Sequence, residues 1–186
     1  MKYYLFTLLI FLNLNSFSQK RKFKKMVNNL KFIKEMPYIP ELSGDSLFWI
    51  VIKQKKEIIP FLIKKLDDTT KTTAIVPNFG GNYTVADIAY FAITKIIHNI
   101  PTNEFINNIS SSHKNGNWLY WEYTRKNIKN RKKLKHKINI WYKLNKHNLI
   151  WVRYKRKFRS ANDWKFEKNI HPLGGYYKLK DNYKKH

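Results

Sequence analysis

Apolar residues recur along this chain at helical spacing, and the clearest run is Val85, Ile88, Ala89, Ala92, Ile93, Ile96, Ile97 and Ile100. Steps of three and four place them on one broad face, which predicts a helix from 84 to 100 with that face in the core. Thr84 and Asp87 predict its start as a capping box: the hydroxyl receives an amide N–H three residues on, and the carboxylate reaches back. Pro101 stops it, and the small Ala89 and Ala92 leave room for a neighbouring helix. Leu47, Phe48, Val51 and Ile52 predict an earlier helix behind the turn Ser43-Gly44-Asp45-Ser46. Ile59, Leu62, Ile63 and Leu66 predict another, with Pro60 tolerated in its first turn. Residues 69–83, containing Pro77, Gly80 and Gly81, read as a loop of about fifteen residues, a length at which loops are sometimes functional.

Beyond a polar linker at 110–117 the helical period resumes, predicting helices at 117–128 and 131–146. Leu149–Tyr154 is β-prone. Gly174-Gly175 reads as a tight turn that docks Tyr176 and Tyr177 on the core, and the last twenty-five residues as an extended arm. Most of the tryptophans, Trp118, Trp121, Trp141 and Trp151 among them, read as core anchors. The fold class expected is therefore mainly α, with a basic and partly irregular C-terminal region.

Leu47–Lys53, then Ile59–Asp68, then Thr84–Ile93 resemble HEAT-type helical repeats, through a helix ending in Leu66-Asp67 and a following helix with paired alanines. The likeness covers 46–100 and departs from the family pattern in the long 67–83 loop and the lack of a third hairpin. It implies antiparallel helix pairs stacked side by side, with no associated chemistry.

The N-terminus adds a compartment. Lys2, the apolar stretch Tyr3–Leu14 and the small residues Ser16 and Ser18 before Gln19 have the layout of a secretory signal peptide. The Ser-Phe-Ser-Gln junction resembles signal-peptide ends of exported proteins of Bacteroidota. The organisation expected is a signal peptide at 1–18, a lead-in at 19–45, a HEAT-like core at 46–110 and a basic, aromatic-rich region at 117–186. The mature chain is expected in the periplasm or outside the cell, with no membrane span.

Charge and cysteine content narrow the chemistry. Without cysteine there are no disulfides, zinc-thiolate sites or thiol nucleophiles. Formal net charge is +25, with net +6 from Lys20 to His113 and net +18 from Lys114 to His186. Such asymmetry suggests a nucleic acid, an anionic glycan or a lipid surface as partner. A-T-rich codon usage offers a plainer source, since Lys outnumbers Arg 31 to 6 and Asn and Ile number 20 and 21.

No catalytic motif is present, the six histidines lack ligand spacing, and no cofactor, metal or catalytic residue is assigned. Three functions stay open. The first is an exported non-enzymatic interaction or scaffold protein. The second is a polyanion-binding module using the 124–159 region, with Lys129, Arg131, Lys132, Lys133, Lys135 and Lys137 as its site. The third is a hydrolase near the 67–83 loop, where Asp68 and Asp87 are the candidate pair.

The junction predicts a mature N-terminus at Gln19. N-terminal mass determination on protein recovered from the envelope or medium checks it, and a full-length membrane-embedded species contradicts it.

Overall fold

Thr84 caps the central helix in the way its spacing to Asp87 predicts. The Thr84 hydroxyl receives the Asp87 N–H at 3.3 Å, and Asp87 Oδ2 receives the Thr84 N–H at 2.8 Å. Two further first-turn amides are met from outside the helix: Val85 N–H donates to the Thr70 carbonyl and Ala86 N–H to that of Asp68, both at 2.9 Å. The donors at this helix end are thus satisfied by protein.

The structure is a computed structural model that describes residues 17–37, 44–77, 80–106, 117–153 and 174–180. It is mostly helical, with two small antiparallel sheets. Helix α1 covers 17–28 and tightens into a 3₁₀ turn at Asn29–Phe32. Helix α2 (Ser46–Ile52) follows, its N-cap Asp45 accepting the Leu47 N–H at 2.9 Å. A 3₁₀ turn at Lys55–Ile58 leads into α3 (Ile59–Lys64), with Pro60 in the first turn. Strands β1 (Lys71–Ile75) and β2 (Asn82–Thr84) precede α4 (Val85–Ile96). Then come α5 (Thr102–Phe105), α6 (Asn117–Lys126) and α7 (Ile128–Asn145), and last β3 (Leu149–Arg153) and β4 (Gly175–Leu179).

Helix α4 lies at the centre, packed against α2 and α3, while α7 packs on α3, α5 and α6. Ile88, Ala92 and Ile96 are fully buried, as the apolar stripe predicts. Helix α1 contributes Phe23 and Val27 to the core, and the segment after it contributes Leu30 and Ile33. Core contact along α1 therefore begins beyond the expected cleavage point. Residues 1–16, the linker at 110–116 and most of the terminal arm lie outside the described residues.

Residues 69–83 do not form the plain loop their composition predicts. They hold a β-hairpin in which Lys71 pairs with Thr84 and Ile75 with Asn82, with an irregularity between. The inward positions are Thr72 and Ala74, followed by Val76, while the large apolar Ile75 is exposed. That arrangement inverts the alternation that marks a strand in sequence. Thr72 Oγ1 donates to the Tyr83 carbonyl at 3.0 Å and accepts the Ala74 N–H at 3.2 Å, so its burial leaves its hydroxyl satisfied.

Within the expected C-terminal arm, the described residues 174–180 hold a strand. Strand β4 pairs with β3 in unbroken register from Leu149 with Leu179 to Arg153 with Gly175. Gly174 has φ +64°, and a Cβ at Gly175 would collide with the Val152 carbonyl and the Trp151 indole. Tyr177 docks on the core, and its carbonyl accepts the His98 N–H at 2.8 Å, which clips the hairpin to the end of α4. His98 stacks on Tyr176, ring centroids 3.9 Å apart. Burial, and then the Lys95 charge, holds the His98 imidazole below its ordinary pKa. Of the tryptophans expected in the core, Trp121 is buried, Trp141 and Trp151 are half-buried, and Trp118 is exposed.

Ile96→Ala should destabilise the protein by about 2–5 kcal/mol through lost transfer free energy and the cavity left behind. Chemical denaturation measures it; a midpoint equal to that of the parent contradicts the central place of α4.

Candidate functional site

Helix α7 turns its apolar residues Leu134, Ile138 and Tyr142 inward, at intervals of four. Helical geometry then carries a second stripe along its flank: Lys132, Lys135, His136, Asn139, Lys143, Lys146 and His147. This stripe faces Lys56, Glu57 and Lys64 from the α3 side across an open groove of about 980 Å³. Pro60, Ile63 and the Tyr142 ring supply the apolar surface between the walls. Six lysines and two acids, Glu57 and Asp67, line it, for a net formal charge of +4 before either histidine is protonated. From Lys132 to Lys146 the stripe extends about 21 Å along the helix at 1.5 Å per residue.

Two contacts hold the walls together. Lys135 Nζ donates to the Lys64 carbonyl at 2.9 Å and to Asp67 Oδ1 at 2.7 Å, placing a cation on the carbonyl end of α3. Tyr142 Oη donates to the Lys56 carbonyl at 3.1 Å. Burial, with Glu57 and Tyr177 nearby, pushes the Tyr142 phenol up to about 12. It therefore remains a neutral donor across the physiological range.

The residues singled out from sequence divide. Lys132 and Lys135 line the groove, Lys135 already ion-paired. Lys129 and Lys133 are exposed on α7 but are not among the lining residues, and Lys137 Nζ donates to the Phe105 carbonyl at 2.7 Å. Arg131 faces inward and is only 5% exposed. Lys143, Lys146, His136 and His147 were legible by carrying the helical period on from Lys132 rather than following the densest run of charge. Lys56 and Lys64 join only through tertiary packing, which no local pattern announces.

Arg131 belongs to the buried polar centre. Asp87 Oδ1 accepts from Arg131 Nη1 at 2.6 Å and from Tyr120 Oη at 2.8 Å. Asp87 Oδ2 accepts from the Thr84 N–H and from Thr84 Oγ1 at 2.7 Å. Tyr120 stacks on Tyr90, ring centroids 3.9 Å apart, and Tyr90 Oη donates to Thr102 Oγ1 at 3.1 Å. Burial, reinforced by the Asp87 charge, pushes the Tyr120 phenol well above its ordinary value. Burial alone would lower the Arg131 pKa; contact with Tyr120 and Asp87 reverses the direction and keeps the guanidinium charged.

The other candidate carboxylate, Asp68, accepts from Lys65 Nζ at 3.0 Å and from the Thr70 N–H at 3.1 Å. Partial burial raises its pKa, but the hydrogen bonds from Thr70 and Lys65 outweigh that, and the net direction is down. Among the described residues, no three of His, Asp and Glu gather as a metal-ligand set. No family model, no curated protein and no solved structure matches this chain.

Arg131→Met should destabilise the fold by about 3–5 kcal/mol, because it leaves the Asp87 carboxylate buried without its cation. Arg131→Met with Asp87→Asn should recover part of that loss in a denaturation double-mutant cycle. Additive losses would show that the pair is not coupled.

Proposed function

We propose that this chain is an exported, non-enzymatic interaction protein that holds an extended polyanion in the groove between α3 and α7. The observation that carries the reading is the two-sided placement of lysines. Lys56 and Lys64 stand on one wall and Lys132, Lys143 and Lys146 on the other, facing a common space with few acids. Like charges gathered in this way repel one another unless an anion relieves them. A merely basic surface has no reason to converge on one groove. The stripe, about 21 Å long at the helical rise, suits a chain-like ligand better than a single small ion.

The groove favours an anionic glycan or other charged polymer over a single-stranded nucleic acid. Base-stacking proteins present aromatic faces to the strand. Here the tyrosine in the groove, Tyr142, is buried and its hydroxyl is engaged, while the exposed Trp118 lies on α6. The packing of α2 and α3 on α4 is compatible with a HEAT-like reading of 46–100, with the β1–β2 hairpin as an insertion between α3 and α4. Export rests on the signal-peptide pattern, and core contacts starting at Phe23 are compatible with removal of residues 1–18. The hydrolase reading draws no support from its carboxylates. Asp68 is held ionised by its partners, so it is a poor general acid, and Asp87 already accepts from four donors.

Binding to heparin should fall steeply with salt, and the triple variant Lys132→Gln, Lys143→Gln and Lys146→Gln tests the groove. It should flatten the slope of log affinity against log salt by about two units, on the scale of about 0.7 per neutralised charge that holds for a single-stranded polyanion such as nucleic acid. The exposed lysines Lys22, Lys24 and Lys25, changed to Gln, remove the same charge elsewhere and should leave the slope nearly intact. Equal losses from the two variants would reduce the groove to general basicity.

A further inference from the structure

A second cavity, of about 400 Å³, lies between the β1–β2 hairpin, the start of α4 and the junction of α6 with α7. It shares no lining residue with the lysine groove, so the inference drawn from it does not rest on that groove. Arg131 lines it. This side chain is 6% exposed, yet both of its hydrogen bonds, to Asp87 Oδ1 and Tyr120 Oη, leave from Nη1. Nε and Nη2 donate to no described residue. Buried guanidinium donors without an acceptor are uncommon, because a desolvated charged donor needs a partner. Asp87 cannot serve further, since each of its oxygens already accepts twice. The start of α4 is not the attraction either, for its amides are capped by Thr84, Thr70 and Asp68.

The remaining lining is suited to an anion. Lys71 and Arg125 stand exposed on either side, and Thr69 and Asn82 add polar side chains. Arg125 is held in place by its Nη1 bond to the Gly80 carbonyl at 3.0 Å and by contact with the Trp121 ring. The formal charges of Lys71, Arg125, Arg131 and Asp87 leave the cavity at +2. We infer that this cavity is a binding site for the carboxylate group of a small molecule, received on the free edge of Arg131 between Lys71 and Arg125. A guanidinium edge matches the two oxygens of a carboxylate in a paired geometry. The lining charge of +2 draws a dianion at least as strongly as a monoanion, so a preference for a carboxylate rests on the fit of its small planar group to the guanidinium edge.

Proton–nitrogen NMR spectra of the mature chain, recorded with sodium acetate or sodium sulfate as probe at ionic strength fixed by sodium chloride, test this. Acetate should give saturable shifts at the Arg131 Nε–H and the Asn82 amide, and sulfate should bind more weakly. Lys71→Gln with Arg125→Gln should weaken acetate by about tenfold, equivalent to about 1.4 kcal/mol. Lys71→Gln alone, at an exposed strand position, should give part of that loss without disturbing the fold. Three results would each overturn the site: acetate shifts that never saturate, sulfate binding as tightly as acetate, or variants that bind acetate like the parent.

Discussion

The Asp87 carboxylate is the constraint around which the rest of this molecule is arranged. It is 1% exposed, and a carboxylate so placed persists only when its oxygens are met by donors and its charge by a cation. The four donors come from three places in the chain: the cap residue Thr84, Tyr120 on α6 and Arg131 on α7. A residue that begins as part of the local start signal of one helix thereby also fixes where two later helices lie. The aromatic stack of Tyr120 on Tyr90 and the Tyr90–Thr102 hydrogen bond extend the same ordering toward α5. Removing the charge in isolation would leave Arg131 stranded, and removing Arg131 would strand the carboxylate.

That arrangement bears directly on the function proposed. With Arg131 facing inward, the lysines of α7 are set by helical geometry onto the flank that meets α3. The ion pair at that surface, Lys135 with Asp67, and the Lys65–Asp68 pair at the end of α3 are partly exposed and contribute little to stability by themselves. Their effect is on position. Lys135 in particular joins two helices far apart in sequence and leaves its neighbours Lys132, Lys143 and Lys146 facing the open space.

Much of the helical core was legible because its signal is local and redundant. The 84–100 stripe and its cap say the same thing, and the structure agrees for Ile88, Ala92 and Ile96, although the helix ends at Ile96, with Ile97 extended, and not at Pro101 as the stripe predicts. The β1–β2 hairpin was not legible, because its buried phase is built from Thr72 and Ala74 while Ile75 faces out. The hidden role of Arg131 was masked by company: it sits among Lys129, Lys132 and Lys133, and a run of charge reads as one exposed patch. The helical period would have separated it, since Arg131, Leu134 and Ile138 lie on one face. The partner of that face, an acid forty-four residues away, has no trace in the local pattern.

The two contacts between α3 and α7 carry one more consequence. Lys135 fastens α7 to the carbonyl end of α3, and Tyr142 fastens it to the segment just before α3, about two turns of helix further along. Two stitches about two turns apart set the width of the cleft between them. A polyanion held there, as proposed, would meet that width with little reorganisation of the backbone. Encounter rate would then follow the long-range field of the lysines, and residence time the short-range fit of the walls.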